Sequence, residues 1–135
     1  MRAMWMAALA VAVAVAGGAA AEAPLDAAAF DRYTRGRVLA YGIGGEVYGR
    51  ERYLPGRRVV WAFAGDECRD GKWYEDAEAQ AICFVYEGDP MHHCWRFFVT
   101  GAGLRAEFLG DPAGTPLVEV SGAGGGLHCG PEAGV

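Results

Sequence analysis

Between residues 37 and 120 the sequence alternates short runs of apolar and aromatic residues with turns, most of which contain Gly or Pro. Turn signals that recur about every eight to twelve residues are typical of an all-β domain built from hairpins. The predicted strands cover residues 37–42, 46–53, 58–64, 72–75, 81–86, 93–100, 104–109 and 116–120. Because each connection is of hairpin length, we predict a mainly antiparallel meander that curls into a small barrel or a bent half-barrel.

One short helix is predicted ahead of the strands. Asp26 can accept a hydrogen bond from a backbone N–H of the first turn, and Gly36 can end the helix. Phe30 and Tyr33 are three residues apart and therefore share one face. A helix of about two turns is not stable alone, so we expect it to cover an open edge or end of the sheet.

The segment 66–78 is rich in acidic residues. Its spacing of Asp66, Asp70 and Gly71 is faintly similar to a calcium-binding loop, but Cys68 and Ala77 stand where such a loop needs an oxygen ligand and a Glu. We therefore predict a solvated turn and loop, interrupted by the short strand at 72–75.

The N-terminal residues predict export. Arg2 is followed by a run of Ala, Leu and Val at 7–16 and then by small residues, which is the pattern of a secretory signal peptide. A membrane span needs about 20 apolar residues, and this run is only about half as long. We expect cleavage after Ala21, a single domain over 22–120 and a glycine-rich tail over 121–135. This predicts a periplasmic or secreted protein without a membrane span.

Four cysteines, an even number in a chain predicted to be exported, favour two disulfides. Three pairings are possible. If the turn at 87–90 is a four-residue hairpin loop, Cys83 faces Cys94 at a cross-strand distance of about 5 Å, which suits a disulfide. Cys68 would then bond to Cys129 and fasten the tail. A slip of one residue in the strand register would remove the basis of this pairing.

The same region offers a metal site as the alternative. Met91, His92 and His93 precede Cys94, and His128 adjoins the last cysteine. Thioether and imidazole ligands suit copper or zinc. Neighbouring residues of a strand point to opposite faces, so the two histidines can bind one ion only if the turn bends the chain. The sequence also lacks C-x-x-C and zinc-finger spacing. We therefore prefer disulfides and predict no cofactor.

The polar side chains limit the chemistry that the chain can perform. It contains one Ser, one Gln, one Lys and no Asn, and Ser121 lacks the G-x-S-x-G context because Glu119 precedes it by two residues. We therefore predict no catalytic residues and do not expect an enzyme. Without residues 1–21 there remain 17 acidic and 11 basic residues, since Arg2 is the one base removed of 12, and the net charge is −6. Binding of nucleic acid through bulk positive charge is thus excluded.

Aromatic residues are the best candidates for a binding site. Trp61, Trp73, Tyr74 and Trp95 fall on predicted strands, where they could line a barrel mouth and stack on an apolar or sugar-like ligand. The alternative is that they form the core. We predict a non-enzymatic binding or interaction module of the cell envelope, whose partner is an envelope protein, a peptide or a glycan. A copper- or zinc-binding protein is the alternative.

Several turns and aromatic positions form a shared pattern with a glycine turn, a G-x-W strand, an I/L-C-F strand and a second Cys one hairpin later. The residues are Leu54-Pro55-Gly56-Arg57, Trp61, Gly71-Lys72-Trp73-Tyr74, Ile82-Cys83-Phe84 and Cys94-Trp95. This pattern resembles a family of small exported bacterial proteins of unknown function, over about residues 30–108. The resemblance implies an exported β-meander domain with Cys83 and Cys94 as disulfide partners, and it implies no activity. Cys68, Cys129 and residues 91–93 are outside the shared pattern.

Overall fold

A computed structural model describes residues 10–14, 22–64, 67–122, 126–127 and 129. Within these residues, eight strands form one closed antiparallel barrel in which each strand pairs with the next and the last pairs with the first. The strands are β1 Val38–Ile43, β2 Glu46–Leu54, β3 Arg58–Phe63, β4 Cys68–Asp76, β5 Ala81–Tyr86, β6 His92–Thr100, β7 Gly103–Phe108 and β8 Leu117–Glu119. The predicted all-β meander is confirmed, and it is a closed barrel.

Parts of the sequence prediction fall outside this region. Most of the predicted signal peptide, 1–21, and most of the glycine-rich tail, 121–135, lie outside the described residues. In the part of the chain that the structure does describe, no helix is both long enough and apolar enough to span a bilayer.

The prediction was wrong at the start of β4. We expected a turn up to Gly71, but β4 begins at Cys68 and pairs with β3 from Cys68–Ala62 to Lys72–Arg58. Pairing with β3 holds this segment in the sheet, and that overrides the low strand preference of Asp and Gly. Gly71 has a packing role here, since an added Cβ would lie 2.6 Å from the carbonyl oxygen of Val85.

The predicted helix is confirmed and closes one end of the barrel. It spans Ala27–Thr34 (α1), and the carboxylate of Asp26 accepts a 2.8 Å hydrogen bond from the backbone N–H of Ala29. Phe30 is fully buried. Its ring contacts four aromatic rings of the barrel interior at centroid distances of 4.6–6.2 Å, those of Tyr53, Trp73, Phe84 and Phe97. The helix is therefore a plug whose main contact is one phenylalanine.

Both predicted disulfides are present. Cys83 faces Cys94 across β5 and β6, and the other bond joins Cys68 to Cys129. The chain-entropy estimate for these crosslinks is about 3 kcal/mol for the shorter loop and about 4 kcal/mol for the longer one. Two disulfides in a domain of this size suggest that the protein folds and works in an oxidising extracellular environment.

The strand register separates an inner and an outer face. Cys83, Cys94 and the arginines of β2 lie on the outer face, while Val59, Trp73, Ile82 and Leu104 fill the interior near α1. The other half of the interior is lined by larger, less closely packed aromatic side chains, and this half contains the candidate site.

Candidate functional site

A cavity of about 280 Å³ occupies the barrel interior on the far side of the residues that contact α1. Its wall is mainly aromatic and includes Tyr41, Tyr53, Trp61, Phe84, Tyr86 and Trp95. It reaches the surface beside Tyr48 and Phe63, which are 47% and 36% exposed. An apolar cavity of about 150 Å³ is large enough for benzene. This cavity therefore has room for a compact molecule of one or two rings.

A glycine of β2 makes room for one of the tryptophans. Gly49 pairs with Phe63 of β3, and Trp61 is two residues along the same inner face. A Cβ added at Gly49 would lie 2.3 Å from Cζ2 of the Trp61 indole. The indole therefore lies directly over the glycine backbone, and this contact holds it against the cavity wall.

One acidic side chain lies inside the cavity. Glu51 is 1% exposed, and its Oε1 accepts a 2.8 Å hydrogen bond from the hydroxyl of Tyr86. Its Oε2 is buried and has no hydrogen-bond partner among the described residues. The ion pairs found in this part of the chain do not involve Glu51. This carboxyl is thus buried, and one of its two oxygens is available to a ligand.

Burial controls the charge of Glu51. Loss of hydration raises the pKa of Glu51 to about 8, although the hydrogen bond from Tyr86 acts in the opposite direction. At neutral pH the carboxyl is therefore mostly protonated. In this state Oε1 accepts from Tyr86, and Oε2 can carry the proton and donate it.

Three phenols add hydroxyl groups to the inner wall. The hydroxyls of Tyr41 and Tyr53 are 2.7 Å apart and hydrogen-bonded to each other. Burial raises the pKa of both phenols, and burial together with the neighbouring Glu51 raises the pKa of Tyr86. All three phenols therefore stay neutral at physiological pH, so the inner cavity carries little charge.

The mouth of the cavity is more polar on one side. Nε2 of His93 lies 2.7 Å from Oδ2 of Asp89. This hydrogen bond is the main reason that the pKa of Asp89 is lowered, and the charge of Arg69 contributes. Arg69, Asp89 and His93 all line the cavity. A ligand would pass these groups before it reached the aromatic interior.

The four aromatic residues predicted to bind a ligand lie in three different places. Trp61 and Trp95 line the cavity. Trp73 is 3% exposed and packs against Phe30 near the plugged end. Tyr74 lies on the outer face, where its hydroxyl is 2.8 Å from Nδ1 of His92. Ligand binding by Trp61 and Trp95 stays a prediction.

Sequence reasoning missed Glu51. A lone Glu between Arg50 and Arg52 suggests an exposed position. The period of two along a strand was the available signal, because Glu51 shares its face with Gly49 and Tyr53 while the two arginines occupy the other face. Tyr86, which ends β5, was missed for a similar reason, since it adjoins an acidic turn.

The predicted metal ligands do not converge. Met91 is 63% exposed, His92 contacts Tyr74 on the outer face, and His93 points into the mouth and pairs with Asp89. Across 22–64 and 67–122, no group of three or more His, Cys, Asp or Glu side chains could hold a metal ion. His128, the remaining candidate, lies outside the described residues.

No protein-family model, curated protein or solved structure matches the chain. The class of protein is therefore defined by the fold and the cavity themselves. It is an antiparallel meander barrel, plugged at one end by a helix, with an aromatic cavity that contains one buried carboxyl.

Proposed function

We propose that this protein is a non-enzymatic binding module of the cell envelope that holds a small, largely apolar, ring-containing molecule inside its barrel. The observation that carries the proposal is the aromatic cavity of about 280 Å³ that reaches the surface at one end. Eight-stranded barrels are wide enough to hold one small ligand. Ligand sites generally combine apolar and aromatic walls with a few placed polar groups, which is the composition of this wall.

The shape and polarity of the cavity favour a small molecule over the peptide or glycan of the broader prediction. A sugar ring carries several hydroxyls, and each needs a partner when it is buried. Besides the indole N–H groups of Trp61 and Trp95, the inner wall offers the carboxyl of Glu51 and three phenol hydroxyls, two of which already bond to each other. A molecule with few polar groups fits this supply better.

The side chains of the wall also support a role in binding rather than catalysis. Among the described residues that line the cavity there is no Ser, Thr, Cys or Lys. The hydroxyl, thiol and amine nucleophiles of serine- or cysteine-type hydrolysis and of Schiff-base chemistry are therefore lacking on this wall. The predicted signal peptide and the two disulfides support a location in the periplasm or outside the cell.

The proposal is tested with one- and two-ring probes such as phenol, 2-phenylethanol and indole-3-ethanol. Thermal shift reports binding, and for the non-indole probes the emission of Trp61 and Trp95 gives a second signal. We expect saturable binding to the wild type. Ala106→Phe should weaken it, because Ala106 lines the cavity and the added ring takes up part of its volume. If that variant does not fold, Ala106→Val narrows the same space by less.

Val118→Phe is the matched control, since it adds a ring to a side chain that is 40% exposed and does not line the cavity. It should bind the probes like the wild type. Failure of every probe to bind the wild type, or binding of the two-ring probe by folded Ala106→Phe as tightly as by the wild type, would refute the proposal.

A further inference from the structure

We propose that the ligand carries a single protonated amine, which pairs with the carboxylate of Glu51 inside the cavity. This inference rests on the proposed binding function and names the chemistry of the ligand. It depends on three features of the cavity: an acid with an unused oxygen, walls made of aromatic rings, and the lack of a basic side chain paired with that acid in the described region.

The unused oxygen is the first feature. Tyr86 occupies Oε1 of Glu51, while Oε2 is buried without a partner among the residues that the structure describes. A buried polar atom without a hydrogen bond is unfavourable, and most such atoms in proteins find a partner. Because Glu51 lines the cavity, a donor on a ligand can reach this oxygen.

The charges around Glu51 leave room for a cation. The cross-strand partners of Glu51 are Leu39 on β1 and Trp61 on β3. The phenols close to its carboxyl are those of Tyr41, Tyr53 and Tyr86. These groups are neutral at physiological pH, so none of them compensates a negative charge on the carboxylate.

Among the described residues, the other charged groups that face the interior form no ion pair with Glu51. On β6, His93 is hydrogen-bonded to Asp89. Arg69 of β4 also lines the cavity, and its positive charge helps to lower the pKa of Asp89. On β8, Glu119 pairs with Arg37 at 3.5 Å and accepts a hydrogen bond from Tyr33 of α1. A positive charge brought by a ligand would therefore be the direct counter-ion of Glu51.

The aromatic walls favour the same sign of charge. The faces of Trp and Tyr rings attract cations, and the attraction grows when water is excluded. An anionic group placed beside Glu51 would be repelled both by the aromatic faces and by the carboxylate. A neutral carbonyl group could accept a hydrogen bond from protonated Glu51, but the aromatic faces would not attract it as they attract a cation. An ammonium group is attracted both by the carboxylate of Glu51 and by the aromatic faces.

The pairing moves one proton. Burial raises the pKa of Glu51 to about 8, so the empty cavity holds a protonated carboxyl at neutral pH. When an ammonium binds, the O–H bond of Glu51 breaks and its proton passes to the buffer, while the ammonium keeps its protons. No covalent bond to the ligand forms. For an amine that stays protonated, affinity should rise about 100-fold between pH 6 and pH 9.

Matched probes separate the amine from its scaffold. Tryptamine and indole-3-ethanol differ in one terminal group, as do 2-phenylethylamine and 2-phenylethanol. By isothermal titration at pH 8.5, we expect at least one amine to bind about tenfold or more tightly than its alcohol. Below pH 7, titration in buffers of different ionisation enthalpy should show release of close to one proton per amine and none per alcohol.

Two variants isolate the carboxyl. In Glu51→Gln the amine should lose its advantage and the proton release, while the alcohol keeps its affinity within about threefold. Glu107→Gln is the control, because Glu107 is on the outer face and hydrogen-bonded to Arg105. It should behave like the wild type. Proton release on amine binding is measured with the wild type alone. The inference can therefore be tested even if Glu51→Gln fails to fold.

The outcomes also distinguish this inference from the proposed function. If the alcohols bind as tightly as the amines, or if the preference for the amine survives in Glu51→Gln, the inference is overturned and a binding cavity remains. If neither amines nor neutral probes bind, the proposed function itself fails.

Discussion

A single buried carboxyl should make the stability of this barrel strongly dependent on pH. The pKa of Glu51 is about 8 in the folded protein and about 4.5 for an ordinary Glu. Between these values the folded state holds a proton that the unfolded state has released. The free energy of unfolding must therefore fall as the pH rises through this window.

The size of the effect follows from the same two values. Each pH unit within the window lowers the free energy of unfolding by about 1.4 kcal/mol, so the full loss is about 5 kcal/mol. Most of it, about 4 kcal/mol, falls between pH 5 and pH 8.5. This is a large share of the 5–15 kcal/mol that is usual for a whole domain. Below pH 4.5 and above pH 8 the contribution of Glu51 becomes constant.

Glu51→Gln replaces the ionisable carboxyl by an amide of nearly the same shape. The amide oxygen can still accept the hydrogen bond from Tyr86, and the amide does not ionise. At pH 5 the variant should match the wild type to within about 1 kcal/mol, whereas at pH 8.5 it should be more stable by several kcal/mol. The pKa of Tyr41, Tyr53 and Tyr86 is raised, so these phenols do not titrate in this range.

Urea unfolding followed by tryptophan fluorescence, with the disulfides intact, measures this difference at intervals from pH 4.5 to pH 9. The groups at the mouth, including His93 and Asp89, are common to both proteins, so they cancel in the difference. Glu107→Gln, a change on the outer face, should give a difference that does not vary with pH. The reasoning is refuted if the difference between wild type and Glu51→Gln is also constant over this range.

Three other changes have expected effects on stability and binding. Phe30→Ala should lower the free energy of unfolding by about 3–5 kcal/mol, because it leaves a hole among four aromatic rings, and urea titration checks this. Gly49→Ala should displace the indole of Trp61, and the test is a shifted tryptophan emission together with weaker binding of the cavity probes. Replacing Cys83 and Cys94 together by Ala should cost about 3 kcal/mol, and a loss below about 1 kcal/mol in urea would contradict the loop-entropy argument.

Local features explain why the topology was predictable from sequence. Most turns contain Gly or Pro, and the connections are short, so successive strands had to be neighbours. The register of β5 and β6 followed from the four-residue loop, and it placed Cys83 opposite Cys94. The start of β4 was missed because its outward residues are polar and its inward Gly71 resembles a turn residue. The first residues of β4 are held in the sheet by pairing with β3, and local sequence does not reveal that pairing.

The site was harder to predict because it depends on which end of the barrel is plugged. Trp61, Trp73 and Trp95 all occupy inward positions on their strands. Only the docking of α1, through Phe30, makes Trp73 part of the core and leaves the other two beside a cavity. That docking joins residues far apart in the chain, so neither composition nor the period of a strand distinguishes the three tryptophans.

The arrangement of stabilising features supports a functional reason for Glu51. An apolar residue at this position would avoid the loss of about 5 kcal/mol at alkaline pH. The two disulfides together contribute about 7 kcal/mol, and they do so mainly by restricting the unfolded chain. One lies on the outer face and the other holds the tail, so neither occupies the cavity. Crosslinks of this kind can offset a buried acid without altering the walls around it. The barrel can therefore keep an unpaired carboxyl in an aromatic cavity and still remain folded, which is what recognition of a small cation requires.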